Sequence, residues 1–216
     1  MSGRTWLILL SLLAVAGWWF SPQSPRAARV PQAIAGTTAG CRLPTGLRDE
    51  AEPLQSPVPS SLSPFLLKAA TLTPLAGFSI DARVLSREDY SLGREADLSP
   101  TDLALGWGRM REDAVLDQLS ISQSGRWYNY RWANQPPLPP YEIASSSANM
   151  HMIPADQATA DALKDVRAGD RVRIDGWLVE AQAPDGWHWR SSTRRDDTGD
   201  GACEVIYVCS LSRATQ

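Results

Sequence analysis

The sequence predicts an α+β domain: a small, mostly antiparallel β-sheet or OB-type barrel with two or three short helices, preceded by an N-terminal membrane segment. Three observations carry that expectation. Apolar and polar residues alternate with period two in short runs such as Phe78 to Val84, Arg126 to Trp132 and Cys203 to Cys209, the mark of strands with one or both faces covered. Helical patterns are few and short. An apolar run from Trp6 to Phe20 stands near the head of the chain and is followed by a proline-rich stretch.

The apolar run comes first. Its fifteen residues follow a head with a single charge, Arg4. Read as a cleaved signal, it has an apolar core from Trp6 to Leu13 and small residues at Ala14, Val15 and Ala16. Read as an uncleaved anchor, it ends in Trp18, Trp19 and Phe20, an aromatic belt suited to a membrane interface. The anchor is the favoured reading, although fifteen residues fall short of the ~20 that span a bilayer comfortably. Arg26 and Arg29 after the segment outnumber Arg4 before it, which opposes export of the C-terminal part. Short N-terminal segments nevertheless insert with the head inside, so the expectation is a single-pass membrane protein with its C-terminal domain in the periplasm. Residues 1–20 form the anchor or signal segment, and Ser21 to Pro74 a disordered tether that holds nine of the sixteen prolines. Cys41 follows Thr-Ala-Gly but lies far beyond the apolar core that lipidation needs.

The globular domain is expected over 75–213. Phe78, Ile80, Ala82 and Val84 alternate with polar residues in a half-buried strand, and Arg87 to Asp97 reads as a charged loop. Ser99-Pro100-Thr101-Asp102 has the form of a helix start: hydroxyl cap, proline in the first turn, acid against the dipole. Trp107 between Gly106 and Gly108 is either a lid over the core or a ligand platform. Glu112 to Leu119 supports a second short helix. In Arg126 to Trp132 one face is Tyr128, Tyr130 and Trp132. Four prolines between Pro136 and Pro140 force a surface loop. Ser145 to Met152 is a weak strand ended by Pro154, and Ala155 to Val166 is helical with Gly169 just past its end. Val172 to Val179 is a strand that Gly176 interrupts, as at a bulge or barrel corner. Cys203 to Cys209 has both faces apolar and belongs in the middle of a sheet.

Charge excludes one function class. The first 74 residues carry six Lys/Arg against three Asp/Glu, and the remainder fifteen against twenty-one, so the domain has net charge −6 (15 − 21). Phosphate binding requires a concentrated basic face, and no nucleic acid is expected as a partner. Three cysteines without close spacing make no zinc site. Cys203 and Cys209 are separated by roughly 20 Å in a straight strand, so Cys41 is the available partner for either in an oxidising compartment. Asp196 to Gly201 resembles a calcium loop, but Tyr207 stands where the bidentate Glu belongs. No metal and no cofactor is expected.

Catalysis would draw on His151 or His188, the two histidines, with Ser191, Ser192 or Cys203 at hand, yet no hydroxyl sits in a nucleophile elbow. Recognition fits the composition better. The candidate ligand-binding residues are Trp107, Arg109, Trp127, Asn149, His151, Arg190, Ser191, Ser192, Arg194 and Asp197, a set of aromatic, guanidinium and hydroxyl groups suited to a glycan, a peptide or another envelope protein. The stretches SANMHMIPAD (147–156), RVRIDGWLVEA (171–181) and WRSSTRRDDTGDGACE (189–204) together resemble a group of bacterial membrane-anchored envelope proteins. That resemblance implies a shared fold behind an N-terminal membrane segment, and no activity. The expected function is a membrane-tethered extracytoplasmic binding domain, with a hydrolase of a cell-envelope polymer as the alternative; His151 packed with backbone partners alone would remove the alternative.

Overall fold

The computed structural model describes residues 3–19, 28–34, 41–46, 52–194 and 203–214. In chain order the elements are α1 (Gly3–Trp19), β1 (Leu54–Ser56), β2 (Phe65–Leu66), β3 (Thr71–Asp89), α2 (Arg94–Leu98), β4 (Thr101–Gly106), a 3-10 turn (Gly108–Arg111), α3 (Asp113–Leu116), β5 (Ser120–Ser124) and β6 (Trp127–Arg131). They continue with α4 (Pro140–Ser145), β7 (Ser147–Pro154), α5 (Gln157–Asp165), β8 (Arg171–Gln182), β9 (His188–Arg190) and β10 (Glu204–Arg213). The fold is mixed α+β, dominated by a β-sheet with a few short helices.

Five strands pair in a ring. Strand β3 pairs with β4, β4 with β7, β7 with β10, β10 with β8, and β8 returns to β3. The β7–β10 pair is parallel and the others are antiparallel. The length of β3 makes the closure possible: Thr71 to Arg83 lies along β8, and Arg83 to Asp89 lies along β4. Alternation then sends every second side chain inward. Phe78, Ile80, Leu103, Leu105, Met150, Met152, Ile174, Leu178, Ile206 and Val208 form one buried cluster, joined by Leu163 and Val166 at the end of α5. The cap of α5 is Asp156, whose carboxylate accepts from the Thr159 N–H at 2.8 Å.

The outward side chains of β7, β8 and β10 form a second apolar cluster: Ile153, Trp177, Val179, Ala181, Val205 and Tyr207. Phe65, Leu67, Ala70 and Leu72 cover it, with Cys41 and Leu62 at the margin. The sequence reading begins the globular part near Leu75, whereas residues 52–74 already contribute β1, β2 and these buried side chains. Apolar residues spaced among prolines carry no periodicity, so their burial depends on the sheet they cover. Cys41 and Cys209 form a disulfide with Cα atoms 5.2 Å apart, and the Trp177 indole N–H donates to the Arg42 carbonyl at 2.8 Å.

Two expectations fail on geometry. The stretch after Ser99 is strand β4, not a helix, because six consecutive buried residues pair with β3 on one side and β7 on the other; tertiary pairing overrides the local capping pattern. The expected transmembrane helix is not found either. Helix α1 has 17 residues, about 26 Å at 1.5 Å per residue, and among the described residues no helix is long and apolar enough to cross a membrane.

Candidate functional site

Strands β4 and β7 place their outward side chains in register, Asp102 opposite His151 and Ala104 opposite Asn149. The Asp102 side chain is 0% exposed. A buried carboxylate is costly unless it is paired and hydrogen-bonded, and here its partners converge. Arg126 Nη1 donates to Oδ1 at 2.7 Å. Asn149 Nδ2 donates to Oδ2 at 3.3 Å. His151 Nδ1 lies 2.9 Å from Oδ2 but out of line for a hydrogen bond. Asn149 is held in turn by Gln123, whose Nε2 donates to Oδ1 at 2.6 Å, and donates to the Arg126 carbonyl at 2.9 Å.

Arg126 arrives from outside the ring. Strands β5 and β6 form a separate two-stranded sheet joined by Gly125 and Arg126. Both turn residues have positive φ, 58° and 72°, as a two-residue primed turn requires. The Arg126 guanidinium lies over the Tyr90 ring at 3.9 Å and 5.5 Å from the Trp189 ring centroid. Its backbone N–H donates to the Tyr90 hydroxyl at 2.9 Å. Burial pushes the Tyr90 phenol up, the Arg126 N–H donated to its oxygen opposes that, and the Asp102 carboxylate raises it further. Trp189 also covers the His151 ring, centroid to centroid 4.6 Å.

Above this floor is a cleft of about 440 Å³ lined by Glu95, Arg126, Trp127, His151, His188, Trp189, Arg190 and Cys203. Its rim is tied across two loops: Arg94 of α2 makes a two-pronged pair with Asp185 at 3.0 and 2.5 Å and stacks over Trp187 at 5.4 Å. The Arg94 guanidinium holds the Asp185 carboxyl below its usual range, and the Trp187 N–H adds to that. A second cavity of about 270 Å³ lies beside α5. Two of its cations serve the helix end, Arg87 donating to the Val166 carbonyl at 3.1 Å and Arg167 to the Lys164 carbonyl at 2.9 Å.

Of the sequence-predicted residues, Trp127, His151 and Arg190 line the cleft and Asn149 lies beneath it. Trp107 does not contribute: it is 3% exposed within the ring's core, which makes it a lid and not a platform. Arg109 is paired with Glu142 of α4, whose carboxyl it holds below the usual range, and does not line the cleft. Ser191 and Ser192 are buried and bonded to backbone: Ser191 Oγ accepts from the Val205 N–H at 3.1 Å and donates to the Ser192 carbonyl at 2.8 Å. Arg194 is exposed, its N–H donating to Ser192 Oγ at 3.0 Å. Asp197, together with the whole Asp196 to Gly201 loop, lies outside the described residues.

Sequence reasoning missed Asp102, Arg126, Tyr90 and Glu95. Asp102 carried a signal, an acid in the run Thr101 to Gly106 that is otherwise apolar or small, but a helix start accounts for an acid there equally well. Trp189 and Cys203 were visible as residues, and only the fold brings them to His151. No family model, no curated protein and no solved structure matches the chain.

Proposed function

We propose that this chain is a membrane-tethered extracytoplasmic binding domain whose ring of strands is an OB-type barrel and whose ligand sits in the cleft above Asp102 and His151. The observation that carries the reading is the fully buried Asp102, which fixes Arg126 and Asn149 from one point, beside His151, before any ligand arrives. Preorganised polar groups under an aromatic rim suit recognition, since little is left to be ordered on binding. The strand order, with one parallel pair and a helix between β7 and β8, supports the barrel assignment, and OB-type barrels bind on the outward face of the second and third strands. In this ring those strands are β4 and β7.

The Cys41–Cys209 disulfide supports an oxidising compartment. Helix α1 does not meet the length of a membrane span, and what supports a tether is its surface alone: Trp6, Ile8, Leu10, Leu12, Leu13, Val15 and Trp18 are exposed on it, and an exposed apolar surface marks a site of membrane or protein contact. The ligand class is a peptide, a glycan or another envelope protein. A photo-crosslinking residue at Trp127, exposed at the cleft edge, should yield one defined adduct in intact cells. The same residue at Tyr141, which is 74% exposed and off the cleft, should not; equal adducts at both positions would refute a cleft-specific ligand.

One observation favours a second reading. His151 is not satisfied by backbone groups; it faces Asp102 and shares the cleft with Cys203, which has kept its thiol. With Ser191 and Ser192 committed to backbone, a hydrolase would use Cys203 as nucleophile and His151 as proton acceptor, with the Asp102 carboxylate 2.9 Å from the imidazole. Alkylation by iodoacetamide decides. In a working pair the rate rises at a pH below the ordinary thiol range, and His151→Ala moves that rise upward; identical profiles leave only the binding reading.

A further inference from the structure

The deepest part of the cleft already holds a cation, and the chain itself supplies it. Arg126 presents its guanidinium to a carboxylate with no solvent exposure, at 2.7 Å, with Tyr90 at 3.9 Å and Trp189 at 5.5 Å. A desolvated carboxylate beside two aromatic faces is the environment in which charge-assisted hydrogen bonds and cation–π attraction are strongest. The pocket belongs to the ring and what adjoins it: Asp102 to β4, Asn149 to β7, Tyr90 to the connection after β3, and Trp189 to β9, which pairs with β8. The occupant does not, since the β5–β6 hairpin is a sheet of its own.

The occupant is also held in an unfavourable backbone state. Arg126 has φ 72°, the left-handed region, where a residue with a Cβ is disfavoured and glycine or asparagine is the usual choice at this turn position. The turn does not call for arginine; the pocket does. A second carboxylate, Glu95, lines the same cleft. Of the cations nearby, Arg190 is engaged by Glu180 and Arg94 by Asp185, so the local field leaves a cationic guest acceptable.

We infer that Asp102, Tyr90 and Trp189 form a pocket for the guanidinium of an arginine-bearing peptide, and that the Gly125–Arg126 hairpin tip occupies this pocket in cis until the peptide displaces it. The inference rests on the cleft being the binding site and narrows its ligand to a cationic peptide side chain. Displacement would swing the hairpin tip outward and release the turn strain, which offsets part of the lost ion pair.

The test uses the full-length chain in detergent micelles and N-acetyl-arginine amide as the probe, with the neutral isostere N-acetyl-citrulline amide as control. Arg126→Gly empties the pocket while suiting the turn, and should bind the arginine amide at least tenfold more tightly than wild type does, with no gain for citrulline. Adding Asp102→Asn should abolish that gain. Arg126→Lys keeps a cation in place and should resemble wild type, which guards against a general effect of altering the turn. An Arg126→Gly protein that is folded, with its disulfide intact, yet does not tell arginine from citrulline amide overturns the inference, as does a gain that survives Asp102→Asn. Such a failure alongside a defined Trp127 adduct would leave the binding reading standing and remove only the self-occupied pocket. Discrimination by Arg126→Gly without any Trp127 adduct would do the reverse.

Discussion

Asp102 is the residue on which most of the local chemistry turns. Removing its charge leaves the Arg126 guanidinium, 18% exposed, without its counter-ion in a largely desolvated site. Breaking a buried pair from one side is expensive, so Asp102→Asn should lower the unfolding free energy by about 3–5 kcal/mol, measured by urea denaturation. Asp113→Asn is the contrast: its pair with Arg83 leaves the aspartate 74% exposed, and the expected cost is about 0–1 kcal/mol. At this scale the sequence was half legible. His151, Asn149, Trp127 and Arg190 stand out because aromatic, imidazole, amide and guanidinium groups crowd three short stretches. Asp102 does not stand out, because Ser99-Pro100 in front of it mimics a helix cap and only pairing with β7 reveals its position. For Trp107 the sequence left a lid and a platform open, and it is the lid; Gly106 is there because a Cβ would come 2.6 Å from the Met110 carbonyl oxygen.

The hairpin and the last two long strands make the case at the scale of elements. Tyr90, which contacts the hairpin tip, and Tyr128 and Tyr130 of β6 all have phenols pushed above the ordinary value of 10.0, chiefly by burial. A raised folded-state pKa means that folding favours the neutral phenol. The stabilisation is therefore complete below the unfolded value and is lost as pH rises through the folded values. Tyrosinate absorbance of the folded protein should lag that of the denatured protein on alkaline titration, and hairpin amide signals should disappear within the lag. Gly176 offers a steric test, since a Cβ there would lie 2.3 Å from the Tyr207 carbonyl oxygen. Gly176→Ala should destabilise by at least the roughly 1–3 kcal/mol of ordinary overpacking, read as a lower melting temperature. The sequence marked Gly176 as a bend or bulge; the strand runs through it, and the irregularity lies opposite, between Val208 and Ser210. The middle position of β10 was legible because both its faces are apolar, and α5 because its length, its composition and Gly169 just past its end agree.

At the scale of the molecule the disulfide is the longest-range tie among the described residues, closing 168 residues of sequence between Cys41 and Cys209. Loop-closure entropy for that separation is about 5 kcal/mol, and measured disulfides more often contribute about 2–4 kcal/mol. Reduction should lower stability within that range and should act first on the N-terminal cover. Faster hydrogen exchange at the Trp177 indole N–H, which the Arg42 carbonyl accepts, would report it; unchanged exchange after reduction would show that the cover holds without the bond. Of this cover only the cysteine was legible, Cys41 being the available partner for Cys203 or Cys209; the apolar residues were not, because their burial is dictated by a sheet assembled from residues far along the chain.

The position of β10 between β7 and β8 has a kinetic consequence. The strand that completes the ring is the last one in the sequence, and its parallel partner lies about fifty residues earlier. Pairings of that kind form slowly, because chain entropy is spent before contacts reward it. A chain still growing has no closed ring of strands, only the open edges of β7 and β8, until Glu204 to Arg213 is made. Late closure thus keeps the emerging chain open as a property of strand order alone. Pulse proteolysis of a nascent chain halted before Glu204 should find it digestible throughout, and the same chain extended through Arg213 should be protected.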